Sequence, residues 1–345
     1  MHSSTFTLAS ADGLALYVYR WLPEATPKAV VQFAHGLVEH AGRYARLAKA
    51  LTRSGYAVYA GDHRGHGRTA PAPDDLGFFA ERDGWHKCVD DLWRLNRRIA
   101  ADHPGLPIVL IGHSMGSLMA QHLVSEHGEA LSGVVLAGSS GKPAGLSVAM
   151  RFIVWAERLR LGARGRSALV HSLIFGTFNR QFEPVRTAAD WLSRDSAEVD
   201  KHLTDPLCRF RPALQFWIDL LDGLDETTKP ARQACIPKQL PIYVIAGTRD
   251  PVGVNTKGVE QLLRAYYAAG LLRVTYRFYP EARHELFNET NRDEVTRELL
   301  AWLDEATGRR AHSGRAPGRQ SSRTTPSSPA GAGSSISPFG LQAER

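Results

Sequence analysis

The sequence predicts an α/β protein in which a mostly parallel, doubly wound sheet is covered by helices and interrupted by a helical cap insertion. Three observations predict this class. Short apolar runs alternate with segments of helical periodicity, most of these runs are continuously apolar, and residues 142–237 carry helical patterns alone. Strands buried on both faces read as continuous apolar runs, and repeated strand–helix alternation is typical of parallel sheets.

The individual elements can be assigned from these patterns. A helix is predicted over 85–100, where apolar side chains recur near helical spacing. The cap insertion, 142–237, falls between two strands, so the predicted core consists of 1–141 and 238–307. The predicted strands are an edge strand at 14–20 and continuous apolar runs at 29–33, 56–60, 108–111, 134–137, 242–246 and 274–279.

The last segment, 308–345, differs in composition from the rest of the chain. It is rich in Ser, Pro, Gly and Arg, which predicts a disordered tail because too little apolar surface is available for burial. Six arginines and one acidic residue give it +5 of the chain's +7 net charge. The body therefore has no evident basic patch, and we expect no nucleic-acid partner. Anchoring of the tail to an anionic membrane is the alternative, which its sparse arginines disfavour.

Cysteine usage and the N-terminus indicate the cellular setting. Cys88, Cys208 and Cys235 are widely spaced and odd in number, so neither a disulfide framework nor a paired metal-ligand pattern is predicted. The first ten residues lack the basic and apolar regions of a signal peptide, and no apolar stretch approaches the roughly 18 residues of a membrane span. We expect a soluble, cytoplasmic protein without a metal or other cofactor.

A GxSxG pentapeptide provides the strongest functional signal. Gly112-His113-Ser114-Met115-Gly116 follows the predicted strand 108–111 and precedes a helical pattern. In that setting the pentapeptide is a nucleophile elbow, a sharp turn that raises the serine hydroxyl above the sheet. The glycines allow close approach of strand and helix, and the helix N-terminus directs N–H groups at a developing oxyanion. Ser114 is the predicted nucleophile; an ordinary turn serine is the alternative.

A serine nucleophile needs a base and an acid, which follow it in the order acid, then histidine. His284 lies in the loop after the last predicted strand, and Asp250 follows strand 242–246 in the sequence GTRDP. Asp222 and Asp225 are alternative acids, but they lie in the helical insertion. The sequence therefore predicts a triad of Ser114, Asp250 and His284, with an Asp-Pro turn as the alternative role of Asp250.

The oxyanion hole requires two backbone N–H donors. One comes from the residue after the nucleophile, which is Met115, and the other from a loop after an earlier strand. Leu37 follows the apolar run 29–33 and the pair His35-Gly36, so its N–H is the predicted second donor.

Several longer strings carry a family resemblance. They are HGLVEHAGRY (35–44), DHRGHGR (62–68), GHSMG (112–116), GTRD (247–250) and RHEL (283–286), with LSRD (192–195) and DPLC (205–208) in the insertion. Together they resemble the monoacylglycerol lipase and lysophospholipase-like branch of the α/β-hydrolase superfamily, over roughly residues 6–306. The resemblance implies the same triad and oxyanion donors. One departure is Ser117, where many members carry glycine.

Three polar residues beyond the oxyanion loop have two interpretations. Glu39, His40 and Arg43 could bind a polar head group such as glycerol, or Glu39 and Arg43 could pair at i,i+4 and hold the loop. The structural interpretation is favoured. The loop that contains His63 and His66 is predicted to be a supporting turn.

The resemblance and the cap predict hydrolysis of a single-chain lipid ester or another acyl ester through an acyl-enzyme. The same triad also serves carboxylesterases, peptidases and acyltransferases, and an inactive hydrolase scaffold that only binds remains a further alternative. The cap could contact a membrane transiently, and the oligomeric state is not predicted. Eight cap residues could line an acyl tunnel or only pack: Phe152, Ile153, Trp155, Leu173, Phe175, Phe178, Leu214 and Trp217.

Overall fold

An eight-stranded sheet forms the centre of the fold in the computed structural model, which describes residues 1–141 and 146–308. The strands are β1 (His2–Ala9), β2 (Ala15–Leu22), β3 (Ala29–Ala34), β4 (Tyr56–Gly61), β5 (Ile108–His113), β6 (Gly133–Ala137), β7 (Ile242–Gly247) and β8 (Val274–Tyr279). Their order in the sheet is β1-β2-β4-β3-β5-β6-β7-β8, and strands β3 to β8 are parallel. Each predicted strand is confirmed to within two residues at either end, but the predicted edge position of β2 is wrong, because β2 lies between β1 and β4.

One strand, β1, was not predicted from the sequence. β1 pairs antiparallel with β2, which in turn pairs antiparallel with β4, so the sheet begins with a hairpin. β1 has no continuous apolar run because it is an edge strand whose residues are exposed or half-buried. Its signal was the alternation of Thr5 and Thr7 with Phe6 and Leu8, which is typical of a strand with one solvated face.

Helices cover both faces of the sheet. They are α1 (Ala45–Arg53), α2 (Gly84–Asp102), α3 (Met115–His127), α4 (Leu146–Leu161), α5 (Ala168–Phe175), α6 (Ser196–Thr204), α7 (Leu214–Thr227), α8 (Pro230–Gln233), α9 (Lys257–Ala268) and α10 (Arg292–Ala306). Alternate strand residues point to opposite faces, so Val134 and Leu136 pack with α2, α3 and α9, whereas Val135 packs with α1 and α10. This two-sided burial explains the continuous apolar runs.

The segment between β6 and β7 contains helices α4 to α8, and its described part, 146–237, contains no strand. Helix α7 packs directly on α2 and α3. Its buried Leu214 and Phe216 join the same apolar cluster as the sheet residues. At the closest point, a Cβ on Gly223 would lie 2.0 Å from the Trp85 ring. The insertion is therefore attached to the core through α7.

Two predictions concern parts of the chain outside this description. The predicted disordered tail lies outside the described residues except for Gly308, and so do the first four residues of the predicted cap, 142–145. Among the residues that are described, no helix is long and apolar enough to cross a membrane.

Candidate active site

Ser114 occupies a strained turn between β5 and α3. Its backbone has φ 52° and ψ −120°, a left-handed conformation that is unfavourable for a residue with a Cβ. The Ser114 N–H donates to the Ala137 carbonyl at 2.9 Å, which ties the turn to β6. A Cβ on Gly116 would lie 2.2 Å from the Ala34 carbonyl oxygen, and one on Gly112 would lie 2.5 Å from that of Gly116. Both glycines are therefore required by the close approach of the backbones.

His284 and Asp250 form a buried hydrogen-bonded pair. Asp250 follows β7, and its Oδ2 accepts from His284 Nδ1 at 2.9 Å while its Oδ1 accepts from the Val252 N–H at 2.9 Å. Both side chains are almost fully buried. Because Nδ1 carries the proton that Asp250 accepts, Nε2 of a neutral His284 is left as the basic nitrogen. His284 and Ser114 line the same cavity.

The two predicted oxyanion residues also line this cavity. Leu37 follows β3, and Met115 is the first residue of α3, where helix N–H groups have no intrahelical acceptor. Within the described chain, neither the Leu37 N–H nor the Met115 N–H has a protein acceptor. Both N–H groups are therefore available to a substrate oxygen.

A buried ion pair lies behind the oxyanion loop. The Glu39 carboxylate accepts from the Gly36 N–H, from the Tyr44 hydroxyl at 2.8 Å and from His113 Nδ1 at 2.9 Å. Burial raises the pKa of Glu39, but the hydrogen bond and charge of His113 and the charge of Arg43 outweigh it and hold that pKa well below its ordinary value. Burial likewise lowers the pKa of His113, whereas its bond to Glu39 raises that pKa overall. Both shifts favour the ionised form of the pair.

Arg43 connects this pair to the loop that contains His284, which we call the histidine loop. Arg43 donates to Glu39 at 2.9 Å and to both carboxylate oxygens of Glu285 at 2.7 and 2.8 Å. Burial raises the pKa of Glu285, but Arg43 outweighs burial and lowers it to about 2. His113 Nε2 also donates to the His284 carbonyl at 3.3 Å. One network therefore connects the oxyanion loop, the nucleophile elbow and the base.

The three proposed head-group residues do not share one location. Glu39 lines the catalytic cavity, but its carboxylate is occupied by protein donors. His40 and Arg43 line a different cavity, where His40 Nε2 hydrogen-bonds Asp205 at 2.8 Å. The geometry therefore does not support a head-group role for His40 and Arg43, because both line the second cavity and are occupied by protein carboxylates.

The catalytic cavity has a volume of about 410 Å³ and a largely apolar wall. Of the eight proposed tunnel residues, Phe175, Phe178 and Trp217 line it, whereas Phe152, Trp155 and Leu173 are exposed on the surface. Leu214 and Ile153 pack in or against the core. The sequence analysis missed other apolar wall residues, since helical periodicity does not distinguish a cavity wall from a core: Leu118, Ile174, Trp191, Leu192, Leu220, Leu224 and Val252.

The LSRD segment of the insertion fastens it to the histidine loop. The Trp191 carbonyl accepts from the His284 N–H at 3.4 Å, and the Leu192 carbonyl accepts from the Glu285 N–H at 2.7 Å. The Trp191 ring lies 5.2 Å from the His284 ring, centroid to centroid. Arg194 pairs with buried Glu289 at 2.9 Å. The base is therefore positioned partly by the insertion.

Three buried histidines support the oxyanion loop from below. The His63 N–H donates to His35 Nε2 at 3.0 Å, and the rings of His35 and His63 lie 4.2 Å apart. Burial lowers the pKa of His63 to about 3 and that of His66 to about 4. These neutral side chains pack beneath the loop, in the supporting position that the sequence predicts.

Two groups in the described chain have donor atoms close enough to hold a metal ion: His40, Asp205 and Cys208, and His86, His122 and Glu226. Each lies beside an arginine. The positive charge of Arg43 partly offsets the rise that burial causes in the pKa of the Cys208 thiol, and Arg232 pairs with Glu226. A neighbouring guanidinium disfavours a cation, so the absence of a metal cofactor stays our prediction.

The strand order, the elbow after β5 and the loops after β7 and β8 define the α/β-hydrolase fold. Residues 25–291 match the family Hydrolase_4, described as serine aminopeptidase, S33. The chain belongs to this family.

Named relatives extend over nearly the same region. The chain is 30% identical over 296 residues to the monoglyceride lipase of Homo sapiens, covering 82% of this chain and 88% of that one. It is 28% identical over 300 residues to the monoacylglycerol lipase of Mycolicibacterium smegmatis, covering 87% and 96%. A thermostable carboxyl esterase from Bacillus coagulans in complex with glycerol superposes with a TM-score of 0.81, at 27% identity, covering 89% and 99%. The protein is a hydrolase that acts on esters, of the monoacylglycerol lipase-like branch.

Proposed function

We propose that this protein hydrolyses single-chain lipid esters, with monoacylglycerols as the principal substrates, through a covalent acyl-enzyme. The observation that carries the proposal is the apolar cavity of about 410 Å³ that contains Ser114, His284, Leu37 and Met115 in its wall. Its volume lies within the ordinary range for small-molecule sites. The names of the relatives support the choice of a lipid ester.

The proposed reaction begins with attack of Ser114 Oγ on the ester carbonyl carbon while His284 Nε2 takes the hydroxyl proton. The Leu37 and Met115 N–H groups hold the oxyanion, and Asp250 stabilises the imidazolium through Nδ1. Collapse breaks the bond to the alkoxy oxygen, which leaves as an alcohol after it receives the proton from His284. Water, deprotonated by His284, then attacks the acyl-enzyme and releases the fatty acid and Ser114.

We also propose that the insertion contacts lipid surfaces while it collects substrate. Four apolar residues recur on one face of α4 at spacings of four, three and four residues: Val148, Phe152, Trp155 and Leu159. Their exposed fractions are 77, 68, 51 and 65%. Exposed apolar stripes of this kind are typical of interaction sites. The three free thiols are consistent with the predicted reducing cytoplasm, a location that stays a prediction.

The decisive experiment compares the wild type with Ser114→Ala on 1- and 2-monoacylglycerols, lysophosphatidylcholine and p-nitrophenyl butyrate. We expect the wild type to prefer monoacylglycerols, and the variant to lose about four or more orders of magnitude in kcat because the nucleophile is missing. Labelling of the wild type, but not of the variant, by a fluorophosphonate probe would identify the nucleophile independently of the substrate.

Other outcomes would select the alternatives. Turnover of the short ester alone would indicate a general carboxylesterase, and preference for aminoacyl amides would indicate a peptidase. Transfer of the acyl group to an added alcohol in place of water would indicate an acyltransferase. Activity that survives Ser114→Ala would refute the proposed nucleophile, and failure of the folded wild type to react with the probe would indicate an inactive scaffold.

A further inference from the structure

Three polar side chains form a buried chain behind the nucleophile elbow. Ser117 Oγ lies 2.6 Å from the Ser114 carbonyl oxygen and 2.7 Å from Ser139 Oγ, and Gln121 Nε2 lies 2.9 Å from Ser139 Oγ. Ser117 and Gln121 are one turn apart on α3, and Ser139 follows the end of β6. Their residues are 0, 2 and 1% exposed, so bulk water does not compete for these contacts.

The direction of every hydrogen bond in this chain is fixed by the donor inventory. The Ser114 carbonyl has no hydrogen, so the 2.6 Å contact requires the Ser117 hydroxyl to donate to it. Ser117 has no second hydrogen, so Ser139 must donate to Ser117 across 2.7 Å. Ser139 then accepts, and its partner must be the amide N–H of Gln121. Each group therefore donates to the next, in the order Gln121, Ser139, Ser117 and the carbonyl of Ser114.

That carbonyl belongs to the peptide group that also contains the Met115 N–H. A hydrogen bond to the oxygen of an amide draws electrons toward the oxygen and makes the N–H on the other side a stronger donor. Hydrogen bonds in such chains strengthen one another by about 10–30% per bond, and a low local dielectric increases the effect. The hydroxyl bond adds to backbone approaches from the Ser117 N–H at 2.9 Å and the Leu118 N–H at 3.3 Å.

We propose that Ser117 is a positioning and tuning residue, which polarises the Ser114–Met115 peptide and thereby strengthens the Met115 N–H as an oxyanion donor. Gln121 and Ser139 orient the Ser117 hydroxyl. Ser139 lines the catalytic cavity, whereas Ser117 and Gln121 do not, so these two residues can act on the oxyanion only indirectly, and this peptide provides the connection. The inference rests on the proposed acyl-enzyme mechanism.

The test compares wild type, Ser117→Ala and Ser117→Cys on the best monoacylglycerol substrate. Cysteine keeps the side-chain volume but is a weak donor. We expect kcat to fall about three- to tenfold in both variants with little change in KM, since complete loss of an oxyanion donor costs about 10²–10³. Fluorophosphonate labelling of Ser114 by both variants would show that the nucleophile is intact.

A transition-state analogue separates an effect on the oxyanion hole from a general disturbance of the active site. An alkyl trifluoromethyl ketone is attacked by Ser114 to give a hemiketal alkoxide in the oxyanion hole, whereas the fatty-acid product binds without forming that alkoxide. We expect the ketone's inhibition constant to rise by the same factor by which kcat falls, while the fatty acid's inhibition constant stays unchanged. Ser139→Ala should give a smaller loss, and adding it to Ser117→Ala should cause no further loss because the chain is already broken.

Ser125→Ala is a matched control. Its hydroxyl also donates to the carbonyl three residues earlier on α3, that of His122 at 2.6 Å, but remote from the oxyanion hole. We expect wild-type kcat for this variant. Unchanged kcat in both Ser117 variants, an effect confined to KM, or equal losses in the ketone and fatty-acid constants would overturn the inference. Failure of the mechanism itself is distinguishable, because it would show as activity retained by Ser114→Ala.

Discussion

At the scale of single residues, two members of the proposed triad are held in conformations or surroundings that are unfavourable by themselves. Ser114 keeps a left-handed backbone because Gly112 and Gly116 allow β5, α3 and β3 to approach within van der Waals distance. Asp250 is fully buried, yet it accepts from both His284 and the Val252 N–H. Conformational strain and burial of a charge are both costly, so they persist only where surrounding contacts determine them.

Asp250→Asn should leave a folded but nearly inactive protein. The asparagine side chain keeps the volume, but it favours the wrong tautomer of His284 and cannot stabilise the imidazolium. We expect kcat to fall roughly 10³–10⁴-fold, measured on p-nitrophenyl butyrate with a thermal melt as the folding check. Asp222→Asn, at the exposed alternative acid, should retain wild-type kcat. A loss below tenfold in Asp250→Asn would contradict the assignment.

Buried His66 should make the native state sensitive to acid. Burial lowers its pKa to about 4 in the folded protein, against 6.5 for an exposed histidine. Above pH 6.5 the His66 side chain is neutral in both the folded and the unfolded protein. Below pH 6.5 it is protonated in the unfolded chain but stays neutral in the folded protein down to about pH 4, so the free energy of unfolding falls. Relative to wild type, His66→Gln should therefore gain about 3 kcal/mol in unfolding free energy between pH 6.5 and 4. Urea titrations at several pH values measure this, and parallel pH curves would contradict it.

At the scale of elements, α7 connects the insertion to the core. It packs on α2 and α3, and Trp85 of α2 also donates from its indole nitrogen to His122 of α3 at 3.0 Å. Gly223 provides the groove that receives the Trp85 ring. The Trp217 side chain of the same helix lines the catalytic cavity. The position of α7 therefore sets part of the cavity wall.

Gly223→Ala should destabilise the protein, although glycine-to-alanine changes inside helices usually stabilise by about 0.5–1 kcal/mol. The new Cβ would lie 2.0 Å from the Trp85 ring, so α7 or Trp85 must move. Overpacking of this kind typically costs about 1–3 kcal/mol. Denaturant unfolding measures the change. Trp85→Phe in the same background should recover part of the loss, and a stabilised Gly223→Ala protein would refute this packing account.

At the scale of the whole molecule, the exposed stripe on α4 belongs to the insertion that also provides part of the wall of the catalytic cavity. Lipid substrates reside in aggregates, so a surface that rests on the aggregate brings the cavity to its substrate. The apolar side chains of the stripe gain free energy when water is excluded, about 1.5–3 kcal/mol for a large side chain that becomes fully buried. The proposed contact with lipid surfaces would explain why these side chains are exposed in the free protein.

Phe152→Ser combined with Trp155→Ser should weaken binding to phosphatidylcholine vesicles at least about tenfold, because two aromatic anchors are lost. Sedimentation with vesicles measures binding. The apparent KM for a vesicle-borne monoacylglycerol should rise, while turnover of soluble p-nitrophenyl butyrate stays unchanged. Leu272→Ser is the control, since Leu272 is 68% exposed but lies outside the insertion, between α9 and β8. Equal sedimentation of the double variant and wild type would rule out docking by this stripe.

The fold class and the elbow that contains Ser114 could be predicted from the sequence alone. Two-sided burial produces continuous apolar runs, and close backbone approach at the elbow requires glycine, so both leave direct marks in the sequence. The predicted triad rests on the chain order of serine, acid and histidine and on loops that meet at one edge of a parallel sheet. The structure then placed His284 and Asp250 in hydrogen-bond contact.

The sequence could not show which cap residues face the cavity and which face solvent, because this depends on how the helices pack. Helical periodicity shows that one face of a helix is apolar, but it does not show what that face contacts. Phe175 and Phe152 therefore have similar sequence patterns, although Phe175 lines the cavity and Phe152 is exposed. The same holds for Arg43, whose partner Glu285 lies far away in sequence. Long-range contacts of this kind depend on how the elements pack, and a local pattern in a single sequence carries no record of that packing.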